Sequence, residues 1–204
     1  MAVLDLRGIN LRNDIVFKYV FASEDSESIL ISLLNAIFGH GKQELVTGIT
    51  YLNPFNIKES MNDKTTVLDI RASDSNGKQY NIEMQVRSEP QFIERIIFYN
   101  SRLLTSQLKQ GETYSDLKKT ISIAITDFNL FPDEKDYHNI YRLLNVKSHR
   151  ELSEVMEYHF LELPKYADGK KLEKEISKWL FAIKNGEKFI NEPEKLPDSI
   201  KKEA

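Results

Sequence analysis

Val67-Leu68-Asp69-Ile70-Arg71-Ala72, the polar stretch Ser73-Asp74-Ser75-Asn76-Gly77, and then Gln79-Tyr80-Asn81-Ile82-Glu83-Met84-Gln85-Val86-Arg87 decide how the chain is read. Before the polar stretch, Leu68, Ile70 and Ala72 alternate with Val67, Asp69 and Arg71. After it, Tyr80, Ile82, Met84 and Val86 alternate with Gln79, Asn81, Glu83, Gln85 and Arg87. Period-two alternation marks a strand with one apolar and one polar face. Asn76-Gly77 is a strong hairpin signal, because both residues tolerate the positive φ angles of a tight turn. The two runs are expected side by side and antiparallel.

If both apolar faces meet one core, alternation puts Asp69, Glu83 and Gln85 together on the opposite face. Two carboxylates a few ångströms apart repel unless a cation or a shared proton neutralises them. Oxygen ligands of this kind suit Mg²⁺ or Mn²⁺, which keep waters and take further oxygens from a phosphate. The competing reading is an ordinary solvated sheet face.

The residues that follow weigh against that plainer reading. Pro90 suits a first helical position, and the helix is expected over residues 90–110, stopped by Gly111. Ile93, Ile96, Ile97, Leu103, Leu104 and Leu108 would face the core. Arg95, Tyr99, Arg102 and Ser106 fall at spacings of four, three and four and form a second stripe. Such a stripe, leaving the strand that carries Glu83, could hold a phosphodiester backbone: arginine grips phosphate bidentately, and tyrosine donates or stacks.

The order Asp69, turn, Glu83-x-Gln85 resembles the Asp…(Glu/Asp)-x-Lys site of the restriction-endonuclease-like fold, in the variant in which Gln replaces Lys. The resemblance narrows on Leu68-Asp69-Ile70, Asn81-Ile82-Glu83-Met84-Gln85, Arg95 with Tyr99, Gly111-Glu112-Thr113-Tyr114, Ile123-Ala124-Ile125 with Phe128, and Leu161-Glu162-Leu163-Pro164-Lys165. Over residues 13–165, in order, the chain is similar to the PD-(D/E)XK nuclease family transposases, also called recombination-promoting nucleases. The resemblance implies an α/β fold: a restriction-endonuclease-like core with a mixed central β-sheet flanked by helices. Its function would be metal-dependent DNA endonuclease activity. Asp69, Glu83 and Gln85 would be catalytic, and Asp69, Glu83 and the main-chain carbonyl of Met84 would bind Mg²⁺ or Mn²⁺. The family's Asn-Asp-x-x-Phe-Lys signature falls on Asn13 to Lys18, which adds Asp14 to the metal site and Lys18 to the DNA contacts. Arg87, Arg95, Tyr99 and Arg102 would complete those contacts. Cutting two strands with one site per chain points to a homodimer.

Composition sets the frame. With 204 residues, 41% of them hydrophobic, the chain can bury one sizeable core. The expected division is a nuclease-like domain over residues 1–165 and a C-terminal helical extension over 166–204, in a chain that is a short form or a truncated one. Absence of cysteine excludes disulfides and thiolate metal sites and suits a reducing, cytoplasmic setting. No apolar run is long enough to span a membrane. A net charge of -3 argues against indiscriminate coating of nucleic acid, though it leaves room for a local basic strip.

Along the rest of the chain, Asn13 is read as the cap of a helix whose inward stripe is Ile15, Val16, Tyr19 and Val20, widened by Phe17 and Phe21. Asp14 in its first turn also complements the helix dipole. Residues 26–38 read as a buried helix ended by Gly39, and residues 45–52 as a strand. Glu59 and Asp63 are read as solvated loop. Residues 120–126 read as a central strand, and Phe128, Leu130 and Phe131 as packing at its end. Residues 133–139 read as a charged loop containing His138. Two paired strands are expected over 141–146 and 155–163, with His149 and His159 as lone histidines. A helix over 170–184 carrying Trp179 is expected to dock on the domain or on a second copy. The alternatives to a nuclease are a decayed DNA-binding module, or an interaction protein that assembles through the Trp179 helix.

Overall fold

The computed structural model describes residues 10–23, 25–39, 45–52, 70–166, 174–186 and 197. The readings made for Asp69, Glu59, Asp63, the first residues of the Trp179 helix and most of the C-terminal extension beyond that helix lie outside them.

The hairpin forms as its alternation requires. β2 (Ile70–Asp74) and β3 (Gln79–Gln85) pair antiparallel with Ile70 opposite Ile82 and Ala72 opposite Tyr80. Ser73 and Asp74 extend the strand, so the turn is tighter than the polar stretch suggests. Asp74 holds it: one carboxylate oxygen accepts the N–H groups of Asn76 and Lys78, both at 2.9 Å, and the other accepts the Tyr80 hydroxyl at 2.7 Å. Gly77 has φ +81°, a conformation that a side chain would strain.

β1 (Ile49–Tyr51) is shorter than the run that suggested it and pairs antiparallel with β2. β4 (Thr120–Thr126) lies parallel to β3, and β6 (Glu151–Glu162) parallel to β4. β5 (His138–Leu144) closes the far edge antiparallel, giving the order β1-β2-β3-β4-β6-β5. Every residue of β4 is buried, as a strand covered on both faces must be. His138 belongs to β5 rather than to the preceding loop.

On one face of the sheet lie α1 (Asp14–Ala22), α2 (Glu27–Phe38) and α4 (Glu175–Asn185), packed with Tyr80, Ile82, Met84, Ile121, Ile123 and Ile125 into the main core. Trp179 of α4 is fully buried in this core. Its ring lies 5.5 Å from that of Phe21, and its N–H donates to the Ser32 hydroxyl. The Trp179 helix therefore docks within the chain. The Asn13 side chain caps α1 by accepting from the N–H groups of Ile15 and Val16. The inward stripe of α1 is Phe17, Val20 and Phe21, however, and Ile15 and Tyr19 are 56% and 42% exposed. The packed side of the helix also carries buried Lys18, so the polar residue occupies a place that an apolar-only pattern assigns elsewhere.

α3 (Phe92–Thr105) covers the other face, where Phe92 and Ile96 meet Ala124, Tyr158 and Phe160. It begins two residues later than expected, because Gln91 adopts a left-handed conformation that leaves Pro90 in the preceding turn. Its buried positions are Phe92, Ile96, Asn100 and Leu103, while Ile97 is 45% exposed. A mixed six-stranded sheet flanked, among the described residues, by four helices is the α/β arrangement of a restriction-endonuclease-like core.

Candidate active site

The polar face of β3 is the face under α3. Glu83 lies in register with Ala124 of β4, and Gln85 with Thr126, so both sit at the C-terminal end of the parallel strands. Ligand sites in such sheets collect at this end. Glu83 is buried, with 9% of its surface exposed, and Gln85 is half-buried.

Arg95, one turn into α3, reaches down to both. Its Nη2 donates to Glu83 Oε1 and, at 3.0 Å, to Gln85 Oε1, while Nη1 pairs with Glu89. The Gln85 amide is thereby oriented: its oxygen faces Arg95 and its NH₂ donates to the Arg87 carbonyl at 2.9 Å. The guanidinium also lies 5.2 Å from the centre of the Phe92 ring, which limits its freedom.

Two contacts bring the start of α1 to this end of the sheet. Arg12 pairs with Asp127 at 3.1 Å, and the Asp127 N–H donates to the Gln85 carbonyl at 2.9 Å. Asp14 follows directly. Burial raises its pKa above the usual carboxylate value, and the charge of Glu89 raises it further. Its Oδ1 is buried with no hydrogen-bond partner among the described residues. A buried acceptor left unsatisfied is costly, and a cation or an ordered water would relieve it.

Of the residues singled out from sequence, Glu83 and Gln85 are both in contact with Arg95, and Asp14 lies within electrostatic reach of Glu89, another partner of Arg95. The Met84 side chain is in the core, and its carbonyl lies between Glu83 and Gln85 along β3. Lys18 is buried on the packed side of α1. Arg87 and Arg102 are exposed and Tyr99 is half-buried; Arg102 lies over the Phe98 ring. Asp69 lies outside the described residues, and among those described no three His, Cys, Asp or Glu side chains are grouped to hold a metal ion. The donors present are nevertheless hard oxygens, and the unsatisfied Asp14 oxygen fits a divalent cation of the Mg²⁺ type.

A family model for PD-(D/E)XK nuclease family transposases matches residues 11–203. The chain belongs to that family. Its function is accordingly nuclease-like, with nucleic acid as the implied substrate. Comparison with curated proteins and with solved structures finds no match.

The motif Leu161-Glu162-Leu163-Pro164-Lys165 has a structural part in the fold. Buried Glu162 accepts the N–H groups of Leu130 and Phe131 at 2.7 and 3.1 Å, and the Lys165 ammonium at 2.7 Å. Lys165 in turn donates to the Phe131 carbonyl. This clamp holds the segment after β4 against β6, on the same side as the site.

Arg12, Glu89 and Asp127 were not expected at the site. Asp127 and Glu89 had readable positions: one directly follows a wholly buried parallel strand, and the other lies in the short turn before the helix that leaves β3. Arg12 had no signal. Among the described residues no helix is long and apolar enough to cross a membrane.

Proposed function

We propose that the chain is a metal-dependent DNA endonuclease in which Asp69 and Glu83, with the Met84 carbonyl and Asp14, hold one or two Mg²⁺ or Mn²⁺ ions. The observation that carries the reading is the placement of Glu83 and Gln85 on one face of β3 at the C-terminal ends of the parallel strands, beneath Arg95. Asp69 enters the proposal from the sequence order Asp69, turn, Glu83-x-Gln85.

When bound, a divalent cation supplies the positive charge that makes a water nucleophilic near neutral pH and offsets charge on the scissile phosphate. The chain's own residues position the reactants. The Gln85 amide has both donor and acceptor groups and can orient a water, yet it brings no charge to the transition state. That charge falls to Arg95, which can transfer its donors from Glu83 to a phosphate oxygen. Arg87, Tyr99 and Arg102 lie further out and would track the backbone of the DNA. Lys18 is buried on the packed side of α1, which sets it back from an outer phosphate grip. A homodimer would present two such sites to two strands, and a cysteine-free chain suits the cytoplasm.

Supercoiled-plasmid nicking tests the reading. Wild-type protein should nick in Mg²⁺ or Mn²⁺ and stay inactive in chelator, and Glu83→Ala should lose at least about 10²-fold while still binding DNA. Nicking that needs no metal, or that survives Glu83→Ala, contradicts it.

One observation favours a second reading, that of a DNA-binding module that does not cut. The Arg95 ion pair already neutralises Glu83 without any metal. DNA binding with no metal-dependent nicking in the wild type would select that reading.

A further inference from the structure

Across the sheet, Tyr80, Ile121, Glu157 and Arg142 form one row through β3, β4, β6 and β5. They lie on the face opposite Glu83 and toward the N-terminal ends of the parallel strands. Above this row opens a cleft of about 410 Å³, bounded by Phe38 at the end of α2. From this cleft we infer a binding site for a small phosphate-bearing anion, separate from the active site.

The charge around the cleft points to an anion. Lys78, Lys118, Lys119 and Arg142 line it against two carboxylates, Glu154 and Glu157, leaving a formal excess of two positive charges. Glu157, only 4% exposed, anchors two of the four cations through one oxygen: Lys119 Nζ at 2.8 Å and Arg142 Nε. Its other oxygen is taken by His159 Nε2 at 2.8 Å. An ammonium has three donors and a guanidinium five, so both anchored cations keep donors for a ligand. Lys78 and Lys118 have no carboxylate partner among the described residues. Like charges gathered around a cleft repel one another, and a bound dianion removes that cost.

The two unpaired lysines come from separate loops, and both loops are clamped. Asp74 accepts the Lys78 N–H at 2.9 Å. The Gln107 side chain accepts the Lys118 N–H at 2.7 Å and donates to its carbonyl at 3.0 Å. Gly77 lets the loops meet: a Cβ there would lie 3.0 Å from Lys118 Cγ. The Phe38 and Tyr80 rings, with centroids 5.9 Å apart, give the cleft an apolar wall for whatever carries the phosphate. Its volume is that of a small-molecule site, not of a groove for a duplex.

Titration calorimetry of the full chain with inorganic phosphate and with deoxyadenosine monophosphate tests this. At least one should bind, and Lys78→Gln/Lys118→Gln should weaken it tenfold or more, while Lys78→Arg/Lys118→Arg and Glu83→Ala leave it within threefold. Equal affinities would assign the site to the phosphate group itself, and a tenfold preference for the nucleotide would add the aromatic wall to the recognition. Absence of binding by both ligands, or binding unchanged in the Gln double variant, overturns the proposal. So does a duplex whose affinity falls in that variant when neither small ligand binds, because the lysines would then grip a DNA backbone.

Discussion

Arg95 Nη2 donates at once to the carboxylate of Glu83 and to the amide oxygen of Gln85, so one guanidinium joins α3 to the polar face of β3. The pair is partly buried, with Glu83 11% and Arg95 32% exposed at the side chain. A cation entering the site must compete with that guanidinium for Glu83. Arg95→Met keeps an unbranched, flexible side chain, though a shorter one, and removes its charge. It should tighten Mn²⁺ binding about three- to tenfold and weaken DNA binding by a similar factor, as expected for an ion pair worth about 1 kcal/mol. Calorimetry and fluorescence anisotropy read the two effects separately, and weaker Mn²⁺ binding would show that Arg95 organises the carboxylate instead of competing for it.

On the proposed function, Gln85 would contribute geometry where Asp69 and Glu83 would contribute charge. Gln85→Ala should therefore cost about tenfold in nicking rate, against about 10²-fold or more for Asp69→Ala and Glu83→Ala. Equal losses from all three would place Gln85 on the same footing as the carboxylates.

Asp14 is held above the usual carboxylate pKa by burial and by Glu89. The folded protein therefore keeps a proton that the unfolded chain releases, so Asp14 costs stability as pH rises from its ordinary 3.8 through its raised value. Asp14→Asn should raise the melting temperature by a few degrees at pH 7.5 and leave it nearly unchanged at pH 3.5. If Asp14 also helps to bind metal, the same variant should lose part of the stabilisation that added Mn²⁺ gives the wild type.

His138, His159 and Glu157 form a hydrogen-bonded chain, with both links at 2.8 Å. Burial, with the neighbouring His159 adding to it, lowers His138 to about 4 from an ordinary 6.5. Unfolded chains take up that proton first, so stability should fall as pH drops from 7 to 5. The loss should be roughly 1 kcal/mol after discounting for partial exposure. Glu157, which burial alone would raise but hydrogen bonds from His159 and Lys119 hold well below the carboxylate range, adds its own loss only below about pH 4.5. Urea denaturation of wild type and His138→Gln measures this, and the variant should show a flatter pH dependence.

Trp179→Ala should cost about 3–5 kcal/mol, the usual penalty for emptying a fully buried indole site. Chemical denaturation checks it. A loss below 1 kcal/mol, accompanied by a change in oligomeric state, would mean that α4 serves an interface between copies.

Much of this was legible in the sequence because period-two alternation is strict where one face is buried. Residues 79–87 placed Glu83 and Gln85 on one face, and β3 bears that out. Asn76-Gly77 located the turn, although Asp74, not the glycine pair alone, locks it. The largely apolar run of β4 was readable as a central strand for the opposite reason, since a strand covered on both faces need not alternate. Helix faces were less legible. Ile15, Tyr19 and Ile97 are apolar but exposed, whereas Lys18 and Asn100 are polar and buried, so hydrophobicity pointed to the wrong side. Contacts between distant residues were invisible. Arg12 with Asp127, and His138 with His159, are 115 and 21 positions apart, and only the parallel β3-β4-β6 arrangement with β5 at its edge brings them together.

On the proposed function, Glu83 near the end of β3 and Asp69, just before β2 in sequence, hold a divalent cation. Titrating Mn²⁺ into wild type, Glu83→Ala and Asp69→Ala by calorimetry tests this directly. Saturable binding to the wild type that weakens at least tenfold in each variant, with the fold intact by circular dichroism, is the expected result. Wild-type protein that takes up no Mn²⁺, or variants that bind it as tightly as the wild type, would contradict metal binding by these carboxylates.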